Sequence, residues 1–439
     1  MDYKQSLSYL YSLGHEVLAA KFGLENIQTL LERLRHPERA FKSVIVAGTN
    51  GKGSVSAMIE SIARAAGHRT ALYTSPHLVR IEERICVLGE EIAEADFARI
   101  ATNVRAAGEA LMAEGKLAAP PTYFEQVTAI ALVYFYERGV ELAVLEVGLG
   151  GRLDSTNAVD RILSVVTSID YDHQYILGDT IAEITAEKAA IIKQGARAVI
   201  GRQKYEEANE VLMRRCIEVS VPPVFANQPS YIGVNDLGRM CFDYESTQTH
   251  YSRIVLGLRG RHQAENAASA IEATEILNDL GFSVPREAII RGLRDVIWPG
   301  RLEFIEDRPS LLLDGAHNPA GTRALRAYLD EFWRGPLTLI FGAMGDKDID
   351  AMAGTLFGAA KTIVLTRVSD GRSASNARLG KPALSSSSNV IFTETVRQAL
   401  SWARSITPLE GLICIAGSLY LVGEVKRLLE EEDQQTSVM

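Results

Sequence analysis

A glycine-rich segment with a central lysine is the part of this sequence best suited to hold a phosphate group. Residues 48–54 read Gly-Thr-Asn-Gly-Lys-Gly-Ser and follow an apolar run of strand length. Glycines let backbone amides turn toward an anion, and the start of the helix expected next adds partial positive charge. Lys52 would add a full charge for the β- and γ-phosphates of a nucleotide. The spacing departs from the Walker A pattern, and a glycine-rich turn with a solvated lysine is the alternative.

Polar side chains stand at the carboxyl ends of three other predicted strands: Ser75, Glu146, Asp170 and His173. In an open parallel sheet these ends share one edge with the phosphate segment. Hydroxyl, carboxylate and imidazole groups together suit a divalent cation that also keeps water and phosphate oxygens, as Mg²⁺ does. Each residue also has a simpler interpretation, with Ser75 as a cap, Glu146 in an ion pair and His173 in a surface turn.

Two further features in the first half carry a weaker signal. Residues 148–157 contain three glycines near their start, which would allow close backbone approach to a ligand, although an irregular loop explains them equally. Lys188 lies in the middle of a helix predicted over 183–193. On pattern alone Lys188 is a solvated lysine.

The second half offers polar residues at strand-to-helix turns. Asn266 lies near the start of a predicted helix, and Arg301 ends a Pro-Gly junction. Asp314 at a strand end could accept a hydrogen bond from a ribose hydroxyl, or it could cap the turn together with Asn318. Gly417-Ser418 is another such turn, too short to be diagnostic.

Apolar runs of strand length alternate with segments of helical period along nearly the whole chain. Runs that are apolar on both faces predict a parallel sheet covered by helices, and the alternation predicts the α/β class. In the first half the predicted strands are 43–47, 69–74, 141–147 and 162–168, and the predicted helices are 55–66, 94–114, 123–138, 183–193 and 262–279.

A Pro-Gly pair at 299–300 predicts a domain boundary, which gives domains 1–298 and 299–439. Before it, 203–257 is less regular and has a possible antiparallel portion. After it, 370–389 is rich in Ser, Gly and Asn and predicts a long surface loop. The second domain has predicted strands at 310–314, 337–342, 362–367, 390–393 and 412–416 and predicted helices at 320–333, 350–359, 395–405 and 419–430.

Composition excludes several classes of protein. The chain has 439 residues, 47% of them hydrophobic and 23% charged, which is globular rather than disordered or fibrous. Acidic residues exceed basic ones by 55 to 46, which disfavours a nucleic-acid binder. The start of the chain lacks a secretory pattern, and the longest apolar run, 129–136, is far short of the ~20 residues that span a bilayer. Four scattered cysteines indicate thiols in a reducing cytosol.

Eight ordered motifs together resemble the folylpolyglutamate synthases, including the bifunctional dihydrofolate synthases, a branch of the Mur ligase superfamily. The resemblance extends over nearly the whole chain and is far more specific than the phosphate segment alone. The motifs are GTNGKGS at 48–54, SPHL at 75–78, LEVGLGGRLDSTN at 145–157, SIDYDH at 168–173, EKAAIIK at 187–193, GRHQAEN at 260–266, PGRLE at 299–303 and LDGAHNP at 313–319.

The resemblance implies a P-loop domain followed by a smaller Rossmann-like domain, with an active site in the cleft between them. It implies ATP binding by the phosphate segment, with further contacts to the phosphates and ribose, through Thr49, Asn50, Gly51, Lys52, Gly53, Ser54, Asn266, Arg301 and Asp314. It also implies one or two Mg²⁺ ions, held by Ser75, Glu146 and His173.

The resemblance further implies the catalytic and substrate residues. Lys188 matches a lysine that relatives carry as an N6-carbamate, so Lys52, Lys188 and His317 are expected to be catalytic. His317 and Ser418 match positions linked to the incoming glutamate. The pterin is expected near His77, Thr122, Phe124, Glu125, Leu153, Asp154 and Ser155.

The implied activity is ATP-dependent addition of L-glutamate to dihydropteroate, to folate glutamyl tails, or to both, through an acyl phosphate. A cytoplasmic monomer that acts on small molecules, with no nucleic-acid or membrane partner, is expected. The alternatives are a folylpolyglutamate synthase with one activity, another Mur-type amino-acid ligase, and a nucleotide-binding switch without ligase activity. A simple P-loop kinase would leave the second domain unexplained.

Overall fold

The computed structural model describes residues 1–14, 23–235, 238–386 and 389–437. The chain divides into two units with separate hydrophobic cores. The second unit begins its main segment close to the predicted boundary and also takes in two short earlier segments. Unit 1 comprises Met1–Pro76, Ile81–Gly257 and Gln263–Val296, and unit 2 comprises His77–Arg80, Leu258–His262 and Ile297–Met439.

An eight-stranded sheet forms the centre of unit 1. Its strands are β1 (Lys42–Ala47), β2 (Thr70–Tyr73), β3 (Ile85–Val87), β4 (Glu90–Glu91), β5 (Leu142–Glu146), β6 (Leu163–Val166), β7 (Arg197–Ile200) and β8 (Pro223–Phe225). They lie in the order β4-β3-β2-β5-β1-β6-β7-β8, and the pairs that involve β3 are antiparallel while the others are parallel. The predicted α/β class with a mostly parallel sheet is confirmed.

Helices accompany this sheet along the chain. They are α1 (Tyr3–Ser12), α2 (Glu25–Arg33), α3 (Lys52–Ala65), α4 (Glu94–Ala113), α5 (Tyr123–Glu137), α6 (Gln174–Leu177), α7 (Ile181–Ala189), α8 (Glu206–Glu218), α9 (Arg261–Asp279) and α10 (Arg286–Asp295). Short 3₁₀ turns lie at Pro37–Arg39, Ile81–Arg84 and Ser155–Ala158.

The sheet collects the chemically interesting residues at one edge because β1, β2, β5 and β6 run parallel. All five residues of β5 are buried, as expected for a strand covered on both faces. The phosphate segment follows β1, and Glu146 is the last residue of β5. Ser75 follows β2, and His173 follows β6. The expected shared edge is confirmed.

The segment 203–257 contains the predicted antiparallel portion and one helix that the sequence interpretation missed. Strands β9 (Ser230–Val234), β10 (Met240–Glu245) and β11 (His250–Val255) pair antiparallel, with β10 in the middle. Helix α8 buries only Ala208, Leu212 and Cys216 along one face. Two of these side chains are small, so the apolar stripe is weak in the sequence.

Unit 2 contains a six-stranded sheet. Its strands are β12 (Glu303–Ile305), β13 (Ser310–Leu313), β14 (Leu337–Phe341), β15 (Thr362–Thr366), β16 (Val390–Thr393) and β17 (Leu412–Ala416). They lie in the order β12-β13-β17-β14-β15-β16, and only β12 is antiparallel to its neighbour. The helices are α11 (Pro319–Phe332), α12 (Ile349–Leu356), α13 (Asn376–Ser386), α14 (Val396–Ile406) and α15 (Leu419–Ser437), with a 3₁₀ turn at Phe357–Ala359.

The predicted surface loop over 370–389 is wrong for much of its length, because 376–386 forms α13. Leu379 and Ala383 are fully buried in the core of unit 2, and their spacing of four is helical. Serine-rich composition and Pro382 inside the helix hid this pattern. Residues 387–388 lie outside the described part of the chain.

Helix α7 ends earlier than predicted, at Ala189 instead of residue 193. A capping box between Thr180 and Glu183 fixes its start, because each side chain bonds the other residue's backbone amide. Within the described ranges, no helix is both long and apolar enough to cross a bilayer.

Candidate active site

The phosphate segment forms a tight turn between β1 and α3. Gly48 and Gly51 have φ of +152° and +86°, the region that favours glycine, and Gly51 is the N-cap of α3. A Cβ on Gly48 would overlap the Thr167 hydroxyl, and a Cβ on Gly51 would overlap Asn266 Oδ1. The N-terminus of α3 and the glycines of this turn, which leave no room for a side chain at their positions, form a cradle that fits an anion. Asn266 Nδ2 donates to Gln263 Oε1 at 2.9 Å, which orients the side chain.

Hydrogen bonds tie the phosphate segment to the strand-end segment that leads to His173. Thr49 N donates to Ser168 O at 2.9 Å, and Thr167 Oγ1 donates to Asn50 O at 2.8 Å. The buried Thr49 hydroxyl donates to Asp170 O at 3.0 Å and accepts from Asp170 N at 3.1 Å. Because the Thr49 hydroxyl is occupied by these two hydrogen bonds, the backbone of Thr49 is the part of the residue that we expect to contribute to ATP binding.

Replacing Thr49 with valine keeps the shape of the side chain but leaves the Asp170 backbone groups without their partner. We expect the free energy of unfolding to fall by about 2 kcal/mol, because buried polar groups that lose a partner carry a desolvation cost. ATP affinity should fall in parallel. Urea unfolding and calorimetric ATP titration measure the two effects. Thr355→Val is the control, since that exposed hydroxyl bonds only its own helix, at Ala351 O; equal effects in both variants would contradict the prediction.

The remaining phosphate-segment residues are arranged as a helix start. Lys52 is the first residue of α3, and its Nζ lies 3.4 Å from Thr49 O. Gly53 and Ser54 are buried in the first turn. The lysine therefore folds back over the turn, which places its charge beside the cradle.

Two of the three expected metal ligands are close together. Ser75 N donates to Glu146 Oε2 at 3.2 Å, and Glu146 is buried. His173 has a left-handed backbone at φ +52° and its Nε2 lies 3.8 Å from Asp172 Oδ1. Among the described residues no group of three or more His, Cys, Asp and Glu side chains is placed to hold a metal. One carboxylate, one hydroxyl and one imidazole fit Mg²⁺, which keeps several waters and substrate phosphates, and the ligand set stays a prediction.

The structure contradicts the interpretation of Lys188 as a solvated lysine. Its side chain is 5% exposed on the inner face of α7. Burial, together with the charge of Lys52, lowers the pKa of Lys188 to about 7, against the opposing influence of Asp172 and Asp154. Near neutral pH a large fraction of this amine is therefore uncharged and nucleophilic.

Asp154 organises the glycine-rich loop 148–157. Its Oδ2 accepts from Gly148 N and Leu149 N at 3.0 Å each, and its Oδ1 accepts from Thr156 N at 3.0 Å and Thr156 Oγ1 at 2.6 Å. Burial raises the pKa of Asp154, although these four hydrogen bonds act in the opposite direction. All of these donors belong to the loop itself, so the carboxylate shapes the loop from within.

Replacing Asp154 with asparagine puts an NH₂ group against backbone donors. We expect the acceptor KM to rise by about 100-fold, because one misplaced loop can cost that much in reaction rate or binding. The ATP KM should stay near the wild-type value. Asp279→Asn is the matched control, because Asp279 is exposed as the last residue of α9. Steady-state kinetics with varied acceptor decides, and an unchanged acceptor KM in D154N would contradict the role.

The other expected pterin residues in unit 1 lie around the start of α5. Thr122 caps this helix, and Glu125 Oε2 accepts from Thr122 N at 2.7 Å and from Thr122 Oγ1 at 2.9 Å. Burial raises the pKa of Glu125. Phe124 is buried, and a Cβ on Gly148 would come within 2.7 Å of its ring. Leu153 and Ser155 flank Asp154 in the glycine-rich loop, whereas His77 belongs to unit 2.

In unit 2, Asp314 holds the segment that carries Arg301. Its Oδ2 accepts from Leu302 N and its Oδ1 from Ala316 N, both at 2.9 Å. Burial raises the pKa of Asp314, although the nearby Arg301 guanidinium acts in the opposite direction. A Cβ on Gly315 would overlap Arg301 NH1, so the guanidinium lies against this turn. The role of Asp314 toward a ribose stays a prediction.

The two residues linked to glutamate follow neighbouring strands of unit 2. His317 follows β13, and its Nδ1 lies 2.8 Å from Gly315 O. Ser418 follows β17, is buried, and its Oγ accepts from Tyr420 N at 3.1 Å. Because β13 and β17 are parallel neighbours, both residues stand at the same sheet edge.

Sequence reasoning missed Gln203, which fixes the strand-end segment of β6. Its Oε1 accepts from Ile169 N at 3.0 Å, and its Nε2 donates to Thr167 O at 3.0 Å and Gly201 O at 2.7 Å. No local signal in the sequence marks an isolated glutamine as a clamp, because the two partners on the β6 side, Thr167 and Ile169, lie more than thirty residues away.

Comparison with known protein families gives two matches that together cover most of the chain. Residues 46–274 match the Mur ligase middle domain, and residues 300–419 match the Mur ligase glutamate ligase domain. The first match ends within α9 and the second begins just after the start of the main segment of unit 2.

Curated relatives are similar over almost the whole chain. A dihydrofolate synthase/folylpolyglutamate synthase of Bacillus subtilis is 34% identical over 436 residues, which cover 98% of this chain and 99% of the relative. A Haloferax volcanii protein named "Probable bifunctional folylpolyglutamate synthase/dihydropteroate synthase" is 35% identical over 97% of this chain. This chain spans 50% of the length of that Haloferax protein.

Solved structures of similar proteins contain nucleotides. Mycobacterium tuberculosis folylpolyglutamate synthase with ADP and AMPPCP has a TM-score of 0.88, 30% identity and coverage of 97% of this chain and 99% of that one. E. coli FolC with DHPP and ADP has a TM-score of 0.86, 28% identity and 99% coverage of both chains. A Yersinia pestis bifunctional folylpolyglutamate synthase/dihydrofolate synthase with AMPPNP and a Mn ion has a TM-score of 0.84, 28% identity and 98% coverage of both chains.

Proposed function

The chain belongs to the Mur ligase family, and we propose that it joins L-glutamate to dihydropteroate and to the glutamyl tails of folates at the expense of ATP. It is an ATP-dependent acid–amino-acid ligase of the dihydrofolate synthase/folylpolyglutamate synthase type. The observation that carries the proposal is the glycine-lined cradle of the phosphate segment, which lies at the same edge of the sheet as the Ser75–Glu146 pair.

The chemistry explains why an amide ligase needs such a cradle. A carboxylate acylates poorly because oxide or hydroxide would have to leave. In the proposed reaction the acceptor carboxylate attacks the γ-phosphorus of ATP, the bond to the β-phosphate oxygen breaks, and an acyl phosphate and ADP form. The glutamate amine then attacks the acyl carbon and loses a proton, and phosphate leaves from the tetrahedral intermediate to give the amide.

Charge neutralisation at the transferred phosphoryl group is the main catalytic task in such a step. We assign Lys52 and the amides of the phosphate segment to it, with Asn266 beside the cradle. Ser75, Glu146 and His173 would hold a divalent cation, which supplies Lewis-acid stabilisation when bound. A nucleotide and a Mn ion in the Yersinia relative support the use of a divalent cation together with a nucleotide.

We assign an N6-carbamate to Lys188. An uncharged amine attacks CO₂ through its nitrogen, an N–C bond forms, and a proton passes to solvent. The lowered pKa of about 7 supports this step, because the protonated form cannot react. The resulting anion would stand where the lysine amine is buried and would be able to bind a second cation.

In unit 2 we assign Arg301 to the ATP phosphates and Asp314 to the ribose. His317 and Ser418 are assigned to the incoming glutamate, and their shared sheet edge supports a common role. For the pterin we assign His77 and the two segments 122–125 and 153–155. The match of residues 300–419 to the glutamate ligase domain supports the placement of glutamate binding in this part of the chain.

The first experiment is ADP release by the purified protein with ATP, Mg²⁺ and L-glutamate, with dihydropteroate and tetrahydrofolate compared as acceptors. Turnover with both acceptors is expected. Turnover with tetrahydrofolate alone would make the protein a folylpolyglutamate synthase with one activity. No turnover with either, in folded protein that binds ATP, would overturn the folate assignment and favour another Mur-type ligase.

We further propose that the protein works as a monomer in a reducing cytoplasm on small molecules, without nucleic acid. All four cysteines are free thiols, which suits a reducing compartment. Sedimentation at assay concentrations tests the monomer.

A further inference from the structure

Arg161 is a buried cation in unit 1 whose hydrogen-bond acceptors are all uncharged. It lies between the 3₁₀ turn 155–158 and β6 and is 8% exposed. Its NH1 donates to Asn157 Oδ1 at 2.9 Å and to Ile191 O at 3.3 Å. Its NH2 donates to Asn157 O at 3.0 Å and to Val159 O. The charge of Asp160 favours the cation, but burying a guanidinium whose hydrogen bonds all go to uncharged acceptors is costly, so this arrangement calls for a reason beyond packing.

Two of the three residues that accept hydrogen bonds from Arg161, Asn157 and Ile191, belong to segments with assigned roles. Asn157 closes the glycine-rich loop, since its Nδ2 donates to Arg152 O at 3.0 Å and its N donates to Asp154 O at 2.8 Å. Ile191 lies in the turn after α7, and its N donates to Lys188 O at 3.4 Å. One planar side chain therefore joins the loop that carries Asp154 to the helix that carries Lys188.

The loop also contacts α7 one turn earlier. Arg152 N donates to Glu187 O at 2.9 Å. A Cβ on Gly151 would lie 2.8 Å from Glu187 O and 3.1 Å from Lys188 O, so only glycine allows this approach without a shift. The loop thus contacts α7 and the segment after it at two places, and the second contact is made by Arg161 together with Lys193, whose Nζ donates to Asn157 O at 2.8 Å.

Electrostatics favours a cation at this place. The carboxyl end of a helix carries partial negative charge, which attracts Arg and Lys side chains, and the carbonyls of Ile191 and Ile192 lie just past the end of α7 at Ala189. Around the same turn, Ser164 Oγ donates to Ile191 O at 2.8 Å and Arg215 Nε donates to Ile192 O at 3.1 Å. Among these donors, Arg161 alone also reaches the loop through Asn157.

We propose that Arg161 is a positioning residue of the ligase reaction. It fixes the position of the glycine-rich loop relative to the helix that carries the buried Lys188. The inference rests on the proposed function, because Lys188 and the loop matter to catalysis only there. The guanidinium uses NH1 for Asn157 Oδ1 and Ile191 O and NH2 for Asn157 O and Val159 O, whereas a lysine ammonium would have to donate from one nitrogen. Lysine at this position would therefore keep the positive charge, but it would not hold the loop in its position relative to α7.

A purely structural role makes the opposite forecast. Methionine removes the donor and leaves the acceptors on Asn157, Val159 and Ile191 without it, which costs stability in either case. If Arg161 served only the packing of the core, methionine in its place would lower the free energy of unfolding and leave the turnover of the folded protein at the wild-type level. If Arg161 positions the loop relative to α7, methionine would lower turnover even where the protein remains folded.

The test compares R161K and R161M with R215M, which removes a cation from the neighbouring carbonyl but does not touch the loop. For both Arg161 variants we expect kcat/KM for the acceptor to fall by about 100-fold, with the ATP KM within about twofold of wild type. R215M should match wild type in both constants. Circular dichroism confirms folding, and R161K carries the test if R161M does not fold.

Amide hydrogen exchange provides a readout that needs no turnover. In R161K we expect exchange to rise by about 10-fold in peptides 148–157 and 187–193 together, because the hydrogen bonds that Arg161 makes to both segments are lost. Folded variants with wild-type kinetics, or faster exchange confined to the residues around 161, would overturn the inference. Absence of turnover in the wild type with every acceptor would instead overturn the proposed function.

Discussion

Lys188→Met should lower ligase turnover by at least about 1000-fold while ATP affinity changes by less than about tenfold. Methionine preserves the apolar stem in its buried site but offers no amine for a carbamate. Without that anion the phosphoryl-transfer step would lose one of its organising charges. ADP release with dihydropteroate and glutamate measures turnover, and calorimetry measures ATP binding.

Lys116→Met is the control, because Lys116 carries the same stem on the surface, with its side chain 61% exposed. The wild type should also lose activity in CO₂-free buffer and recover it when bicarbonate is added. Full turnover of K188M would contradict the role of Lys188. Full wild-type activity without CO₂ would contradict the carbamate and leave the amine itself as the functional group.

The same lysine should leave a signature in stability. An unfolded lysine titrates near 10.4, whereas the pKa of unmodified Lys188 in the folded chain is about 7. Between these values the unfolded chain binds more protons, so the free energy of unfolding must rise with pH. In CO₂-free buffer we expect a gain of about 2 kcal/mol from pH 7 to pH 9 that is absent in K188M. Urea unfolding at both pH values decides, and equal slopes in the two proteins would contradict the buried amine.

Gly51→Ala should weaken ATP binding by about 100-fold or more, because the cradle has no room for a side chain. Gly51 has φ +86°, and an added Cβ would overlap Asn266 Oδ1. Relief of that clash requires the Asn266 side chain to leave its hydrogen bond with Gln263 or the phosphate segment to shift, and either change alters the groups beside the cradle. Calorimetric titration with ATP and Mg²⁺ measures the loss.

Gly67→Ala is a matched control for the backbone strain. Gly67 has φ +96°, and an added Cβ there would meet nothing within 4 Å. This variant should lose only about 1 kcal/mol of stability and retain wild-type ATP affinity. Equal ATP affinities of G51A and G67A would show that the cradle tolerates a Cβ at residue 51. That result would contradict the assignment of the cradle to phosphate binding.

Local sequence was sufficient for much of the fold. The phosphate segment, its strand and its helix depend on near neighbours, because glycine conformations and hydrophobic period are set within a few residues. For the same reason the alternation of strands and helices predicted the α/β class. The prediction was wrong where composition and burial disagreed, as in α13, whose buried Leu379 and Ala383 lie among serines and next to a proline.

The catalytic setting of Lys188 could not be read from its own helix. Nine residues of α7 give this lysine no mark that separates it from a solvated one. The approach of Gly151 brings the glycine-rich loop against this helix, and the pKa of Lys188 is lowered by burial and by the charge of Lys52; both neighbours are distant in sequence. The pKa of a side chain follows from desolvation and neighbouring charge, which exist only once the chain is packed.

By itself the sequence determined the α/β class, the anion-binding turn and, through its ordered motifs, the ligase family. Only the tertiary structure decided that Lys188 is buried, that the Asp154 carboxylate is used by its own loop and that Thr49 and Arg161 link distant segments. The difference arises from the sequence separation of the residues that determine each property. Turns and helix starts are governed by neighbours along the chain, whereas burial, hydrogen-bond partners and pKa values are governed by neighbours in space.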